Sequence, residues 1–233
     1  MAWRCSGPTN KQLISNMSAV RIITNDQVAK AMAQVDRANY VRDPSSAYED
    51  SPQPIGHAAT ISAPHMHAYA ASHVLSYLHP GARVLDVGSG SGYLAAVFHH
   101  LVGPTGTVVG IEHVDELTKW SLENLRKDGL GEAVDEGKIT IVTGDGREGY
   151  ESGDSTGPYD VIHVGAAAPS TPRKLIEQLA SPGRMFIPVG THIQSILHID
   201  KDQDGKVTET QVMGVSYVPL TDLDKQKATR QWL

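Results

Sequence analysis

The segment Val84-Leu85-Asp86-Val87-Gly88-Ser89-Gly90-Ser91-Gly92-Tyr93-Leu94 constrains this chain more than any other. An apolar run passes into three alternating glycines and then into a helical pattern, the order of a strand, a tight turn and a helix. Such a turn lets a ligand come close to the backbone where N–H groups converge. From Arg83 onward, short apolar runs alternate with helical stretches, the mark of βαβ units around a parallel sheet. The pattern predicts strands at Arg83–Val87, Thr107–Glu112, Ile139–Thr143, Tyr159–Val164 and 184–189, with helices at 93–101, 114–127 and 172–180. After Gly190 it turns antiparallel, with 194–199 and 207–213 flanking an Asp-Gly turn, then 215–218 and a short polar helix beyond Thr221. The expected fold class is therefore α/β: a doubly wound, mostly parallel sheet with N-terminal helices and an antiparallel C-terminal hairpin.

The first sixty residues read as short helices and loops. Thr24 followed by Gln27 predicts a capping box ahead of Val28, Met32 and Val35. Pro44, Pro52 and Pro54 predict an irregular stretch up to Gly56, and Pro64 opens a helix expected over 64–78. Repeats and linkers are absent from the pattern, so a single domain is expected over 1–233. Within it, 1–80 would form a helical covering segment, 81–190 the α/β core and 191–233 the antiparallel end.

Charge narrows the ligand. The dinucleotide fingerprint places a glycine where this chain has Tyr93, and Asp86 would face an incoming diphosphate. An anion there repels a pyrophosphate and attracts a ligand carrying an ammonium and a sulfonium, which fits S-adenosylmethionine. Glu112 ends the next strand about twenty residues on, where a carboxylate accepts from ribose hydroxyls. Asp145, after the third strand, is placed to take an adenine amino group, and the three acids are expected on one rim. The blander reading makes them turn formers and caps.

A second block of residues bears on the substrate. Ala59-Thr60-Ile61-Ser62-Ala63-Pro64-His65-Met66-His67-Ala68 occurs with the glycine loop, with Gly144-Asp145-Gly146-Arg147 and with His163-Val164-Gly165-Ala166-Ala167-Ala168-Pro169. Together with Tyr217-Val218-Pro219-Leu220-Thr221, these resemble the protein-L-isoaspartate O-methyltransferases, colinearly over nearly the whole chain. The resemblance implies a sheet of the S-adenosylmethionine-dependent methyltransferase type. It also implies methylation of the α-carboxylate of L-isoaspartyl residues, and less efficiently of D-aspartyl residues, in damaged proteins and peptides. The resulting ester collapses to a succinimide, which starts repair. The resemblance gives the active-site role to Ser62. The cofactor-site residues are Ala59, Thr60, Ile61, Ser62, His67, Glu112, His113, Asp145, Gly146, Thr221 and Gln226, joined by Asp86, Gly88, Ser89 and Gly90 of the loop. Many relatives have aspartate where this chain has Glu112, so the reach of that carboxylate differs.

A carboxylate acceptor is ionised at neutral pH and needs no general base, which makes positioning the main task. Ser62 precedes the Pro64 helix, where its hydroxyl, free N–H groups and the helix dipole are expected to hold a carboxylate. Taken without the resemblance, Ser62 reads as an ordinary capping serine.

The remaining features set limits. Twenty basic against 26 acidic residues give a net charge of −6, which opposes counterion-release binding to nucleic acid or to an anionic membrane. A lone Cys5 suits a reducing compartment and the opening residues lack the apolar core of a signal peptide, so a cytosolic location is expected. No long apolar stripe calls for a partner copy, so a monomer is expected. His57, His65, His67 and His73 crowd one region but lack a ligand-set spacing, so no metal is expected. Asp200 to Gly205 imitates a calcium loop, yet position twelve is Gln211, so a hairpin turn is expected. Three rivals remain: a methyltransferase of nucleic acid or small molecules, a dehydrogenase, and a catalytically silent cofactor-binding module.

Overall fold

The computed structural model describes residues 5–151 and 157–229. Strands β3 (Arg83–Val87), β4 (Thr107–Glu112), β5 (Ile139–Thr143) and β6 (Tyr159–Val164) fall where the apolar runs predict them. They are mutually parallel, and β7 (Leu179–Val189) extends the parallel set before β8 (Gln194–Lys201) and β9 (Val207–Val215) add antiparallel strands. The seven strands lie in the order β5-β4-β3-β6-β7-β8-β9. The chain thus winds outward one way from β3 and then returns to β3's other side, which opens a crevice at the carboxyl ends of β3 and β6.

Helices cover both faces, so β3 is buried from Val84 to Val87 and apolar apart from Arg83 and Asp86. Val84 faces one buried cluster, while Leu85 and Val87 face the other. All three are fully buried, each contributing about 1.5–3 kcal/mol relative to exposure. Helix α4 (Tyr93–Val102) follows the glycine loop and α5 (Asp115–Lys127) follows β4. Helix α5 carries Asp115 and Glu116 in its first turn and Arg126 and Lys127 in its last, matching its dipole at both ends.

Several boundaries differ from the sequence expectation. Helix α1 (Asn10–Ala19) precedes α2 (Asp26–Gln34), whose cap is Asn25 rather than Thr24; the Asn25 amide oxygen accepts from the Gln27 N–H at 2.8 Å. The stretch expected to be irregular contains a small hairpin, β1 (Gln53–Gly56) with β2 (Ala59–Ile61). Its turn sets Gly56, His57 and Ala58 at φ of 90°, 56° and 53°, and two side-chain-bearing residues in the left-handed region hide that turn from the sequence. Helix α3 (Pro64–Val74) ends in a 3-10 turn at Leu75–Tyr77. Helix α7 (Arg173–Gln178) stops short of 180, because Leu179 already pairs with Tyr159 and the Lys201 ammonium caps the carbonyls of Ile176 and Leu179. No strand forms over 216–218; Pro219 instead bridges Ala167, whose N–H donates to the Val218 carbonyl. A short helix α6 (Gly131–Asp135) precedes β5, and α8 (Leu223–Thr229) closes the described chain. Asp202 accepts from the N–H groups of Asp204 and Lys206, forming the expected hairpin turn. Among the described residues no helix is long and apolar enough to cross a membrane.

Where α3 packs on the sheet, His73 and His198 meet with ring centroids 4.8 Å apart beside Phe186. Burial, then Arg184 and His73, push His198 down to about 4, while Asp200 opposes this weakly. An unfolded chain takes up that proton near pH 6.5, so the unfolded state binds more protons between the two values and stability falls with pH. This residue is expected to cost about 2 kcal/mol between pH 7 and 5. His198→Phe should flatten that slope in urea denaturation, and an unchanged slope would refute the assignment.

Candidate active site

The carboxyl ends of β3, β4 and β5 carry the acids the sequence singles out, but the structure divides them between two spaces. Glu112 and Asp145 line a cavity of about 180 Å³, shared with Ala59, Thr60, Gly88, Gly90, His113, Gly146, Thr221 and Gln226. Asp86 lies in an adjoining recess of about 30 Å³ with Ile61, Ser62, His67 and Ser89. Gly88 and Gly90 border both spaces, so every sequence-predicted site residue faces one continuous region, although not one rim.

The glycine loop forms as expected but offers something different. Gly92 caps α4 from the left-handed region at φ 83°, and a side chain there would run into Ser121. The N–H groups that were expected to converge on a ligand are already used. Those of Gly88 and Ser89 donate to the Ile111 carbonyl, that of Gly90 to Glu112 at 3.1 Å, and that of Gly92 to the Ser89 carbonyl. The loop supplies room and no anion nest, which disfavours a diphosphate ligand for a second reason.

Glu112 is buried, each oxygen holding one backbone N–H: Val114 at 3.0 Å and Gly90 at 3.1 Å. Burial raises its pKa, and the N–H groups of Val114 and Gly90 with the neighbouring His113 partly oppose the rise. Both oxygens keep a lone pair for hydroxyl donors. Asp145 is committed elsewhere. It caps the turn at Gly146–Glu148 and takes the Arg147 guanidinium on both oxygens, at 2.6 to 3.0 Å, which holds its carboxyl low. The expected grip of its carboxylate on an adenine amino group therefore competes with Arg147, which also reaches Asp222 at 2.8 Å.

Asp86 is fully within the protein. One oxygen meets His163 Nδ1 at 2.7 Å; the other is buried and, among the described residues, has no partner, nor has the hydroxyl of Ser89 in the same recess. An orphaned carboxylate oxygen next to an enclosed recess is a ready acceptor for a small cation. Over the larger cavity, Gln226 of α8 takes His113 Nε2 at 2.7 Å and donates to the His57 carbonyl at 2.8 Å, which roofs the space.

Ser62 stands where the recess meets an open groove of about 680 Å³, lined by Pro52, His65, Met66, Tyr69, Met213 and Tyr217 among others. The helix end behind it differs from expectation. Ala63 is the cap residue of α3 and makes no side-chain bond, so Ser62 is not a capping serine. The His65 N–H is taken by Asp50 at 3.0 Å, and those of Met66 and His67 by the Ala63 carbonyl. Asp50 also accepts from the His65 ring at 2.8 Å, so a buried anion already occupies the helix terminus. What remains for a ligand is the Ser62 hydroxyl. Tyr217 lines the same groove beside it; burial pushes the phenol up to about 12, and the neighbouring Ser62 opposes this. Sequence reasoning passed over Arg37 and Asp50, which reach the site from distant segments and lie in no recognised motif, and it gave no role to His163 and Tyr217, although each opens a motif quoted above.

A family model described as protein-L-isoaspartate(D-aspartate) O-methyltransferase matches residues 8–225. The chain belongs to this family. It is 47% identical over 217 residues to protein-L-isoaspartate O-methyltransferase 1 of Arabidopsis thaliana, covering 93% of each chain. The identity with the Caenorhabditis elegans protein-L-isoaspartate O-methyltransferase is 46%, over 97% of this chain and 98% of that one. A crystal structure from Plasmodium falciparum, described as a protein-L-isoaspartate O-methyltransferase in complex with S-adenosyl-L-homocysteine, superposes with a TM-score of 0.84. It is 33% identical, over 92% of this chain and 99% of that one.

If the unpartnered oxygen of Asp86 takes a cationic ligand group, Asp86→Asn should weaken binding of S-adenosylhomocysteine about 10- to 100-fold, the scale of one charged hydrogen bond. Calorimetry that returns equal affinity for a folded variant would refute the role.

Proposed function

We propose that this chain transfers a methyl group from S-adenosylmethionine to the free α-carboxylate of L-isoaspartyl residues, and less efficiently of D-aspartyl residues, in damaged proteins and peptides. The ester formed starts repair through a succinimide. The observation that carries this reading is the junction at Thr60 and Ser62. Thr60, Gly165 and Val218 line both the roofed cavity and the open groove, so a cofactor and a polypeptide approach one another there.

The residues present fit the cofactor. Asp86, with its orphaned oxygen, suits the ammonium; Glu112, with two free lone pairs, suits the ribose diol; and the cavity between Gly88 and Gly146 admits a flat ring system. When bound, S-adenosylmethionine supplies a methyl group on a sulfonium, whose transfer to the carboxylate oxygen leaves the C–S electron pair on sulfur.

The chain's own part is to hold and to dry the acceptor. A carboxylate with an ordinary pKa near 4 is already a nucleophile at neutral pH, so the site needs no base. The two reacting charges cancel as the bond forms, and a strong cation on the carboxylate would favour the starting state over the transition state. Consistently, no lysine or arginine lines the groove among the described residues. The Ser62 hydroxyl, at the junction of recess and groove, holds the carboxylate without neutralising it. The apolar walls formed by Met66, Met213 and Val215 exclude water from the junction. The open groove suits a protein chain rather than a small metabolite, and the acidic net charge does not suit nucleic acid or a membrane surface. We place the enzyme in the cytosol as a monomer.

Ser62→Ala is expected to lower turnover about 10- to 1000-fold, the scale of one lost positioning donor, with S-adenosylhomocysteine affinity changed far less. Unchanged turnover would remove Ser62 from this role. Matched peptides that differ only in aspartyl or isoaspartyl linkage, offered labelled cofactor, should release label as methanol from the isoaspartyl peptide alone. Equal release from both would refute the proposed selectivity.

A further inference from the structure

Arg37 is the largest fully buried side chain of the molecule's described part, with no exposed surface, and its charge lies where solvent cannot stabilise it. Placing an unpaired guanidinium inside a protein costs several kcal/mol, and among the described residues no carboxylate forms a salt bridge with it. Its hydrogen bonds go to two residues of the active site. One terminal nitrogen donates to the Ser62 carbonyl at 2.8 Å and the other meets His67 Nδ1 at 3.3 Å. The guanidinium also lies 5.5 Å from the centre of the Tyr93 ring, which packs on His67 at 4.8 Å. The Arg37 Nε–H has no partner. The side chain enters from the 3-10 turn Arg37–Asn39, far in sequence from both acceptors.

Chemistry fixes the direction of these bonds. A guanidinium has donors only, so His67 Nδ1 must accept, and the imidazole is then neutral with its proton on Nε2. Burial first and Arg37 second hold the His67 pKa well below the ordinary value, which keeps that state through the physiological range. Arg37 itself, though lowered to about 10 by burial, stays charged. His67 and Ser62 both line the recess that contains the unpartnered oxygen of Asp86.

We propose that Arg37 is the positioning residue of the active site: it pins the Ser62 backbone and fixes His67 as an Nε2–H donor, so that the recess offers a donor beside the acceptor Asp86. That pairing matches the carboxylate and ammonium of an amino-acid zwitterion, the end of the cofactor that must be anchored for the methyl group to be aimed. The proposal rests on the cofactor reading above, but its first test does not. It also explains why a costly buried cation stands here when an apolar residue of similar volume would suit the core.

The test compares wild type with Arg37→Met and Arg37→Lys. In unliganded wild-type protein, long-range nitrogen–proton NMR of the His67 ring should show Nδ1 bare and Nε2 protonated. In Arg37→Met that assignment should be lost or mixed, S-adenosylhomocysteine affinity should fall about 10- to 100-fold, and kcat should fall with it. Arg37→Lys, a point charge able to serve one acceptor at a time, should restore part of both. A folded Arg37→Met with the wild-type His67 tautomer and wild-type affinity would overturn the proposal. So would an Arg37→Lys no better than Arg37→Met. Should Arg37→Met fail to fold, the tautomer and affinity of Arg37→Lys decide: values equal to wild type overturn the proposal, and partial loss supports it. Failure of wild type to methylate an isoaspartyl peptide would instead count against the proposed function, leaving the His67 tautomer as an independent reading.

Discussion

A buried anion at the reversal of strand order organises the carboxyl end of this sheet. Asp86 occupies the last turn of β3, between β4 on one side and β6 on the other, and His163 of β6 holds one of its oxygens across the strand boundary. The remaining oxygen has no partner among the described residues. The arginines of the region are bonded elsewhere: Arg37 to a carbonyl and a ring, Arg147 to Asp145 and Asp222. A site arranged this way selects for a ligand that brings its own positive charge.

The backbone tells the same story from the opposite direction. Both places that a sequence reader would nominate as anion sites, the glycine loop and the start of α3, have their N–H groups consumed locally. Glu112 and Asp50, each buried, act as internal caps for those two termini. Negative charge has been installed where phosphate would otherwise be drawn, and this separates the site from that of a nucleotide-phosphate binder more firmly than the glycine spacing does.

Much of this was legible in the chain itself. The parallel strands were readable because burial writes short, mostly apolar runs, such as Val84, Leu85 and Val87 around the single acid Asp86. The residues of the cavity were readable because the resemblance ties them to contiguous motifs. The hairpin at Gln53–Ile61 was not, since its turn depends on left-handed conformations at His57 and Ala58 that local preference argues against. Nor were Arg37 and Asp50: each acts through contacts to residues well removed in sequence, and periodicity carries no information about such contacts. The free N–H groups expected at Ser62 were wrong for the same reason, because the residue that consumes one of them, Asp50, lies on another segment.

The Gln226 clasp braces two distant parts of the chain against each other. By joining His57 of the hairpin turn to His113 beyond β4, a single amide stitches the chain's late helix to its early hairpin directly above the cavity. This part of the cavity wall therefore exists only when both segments are folded in place, and neither an early nor a late stretch of the sequence can build it alone.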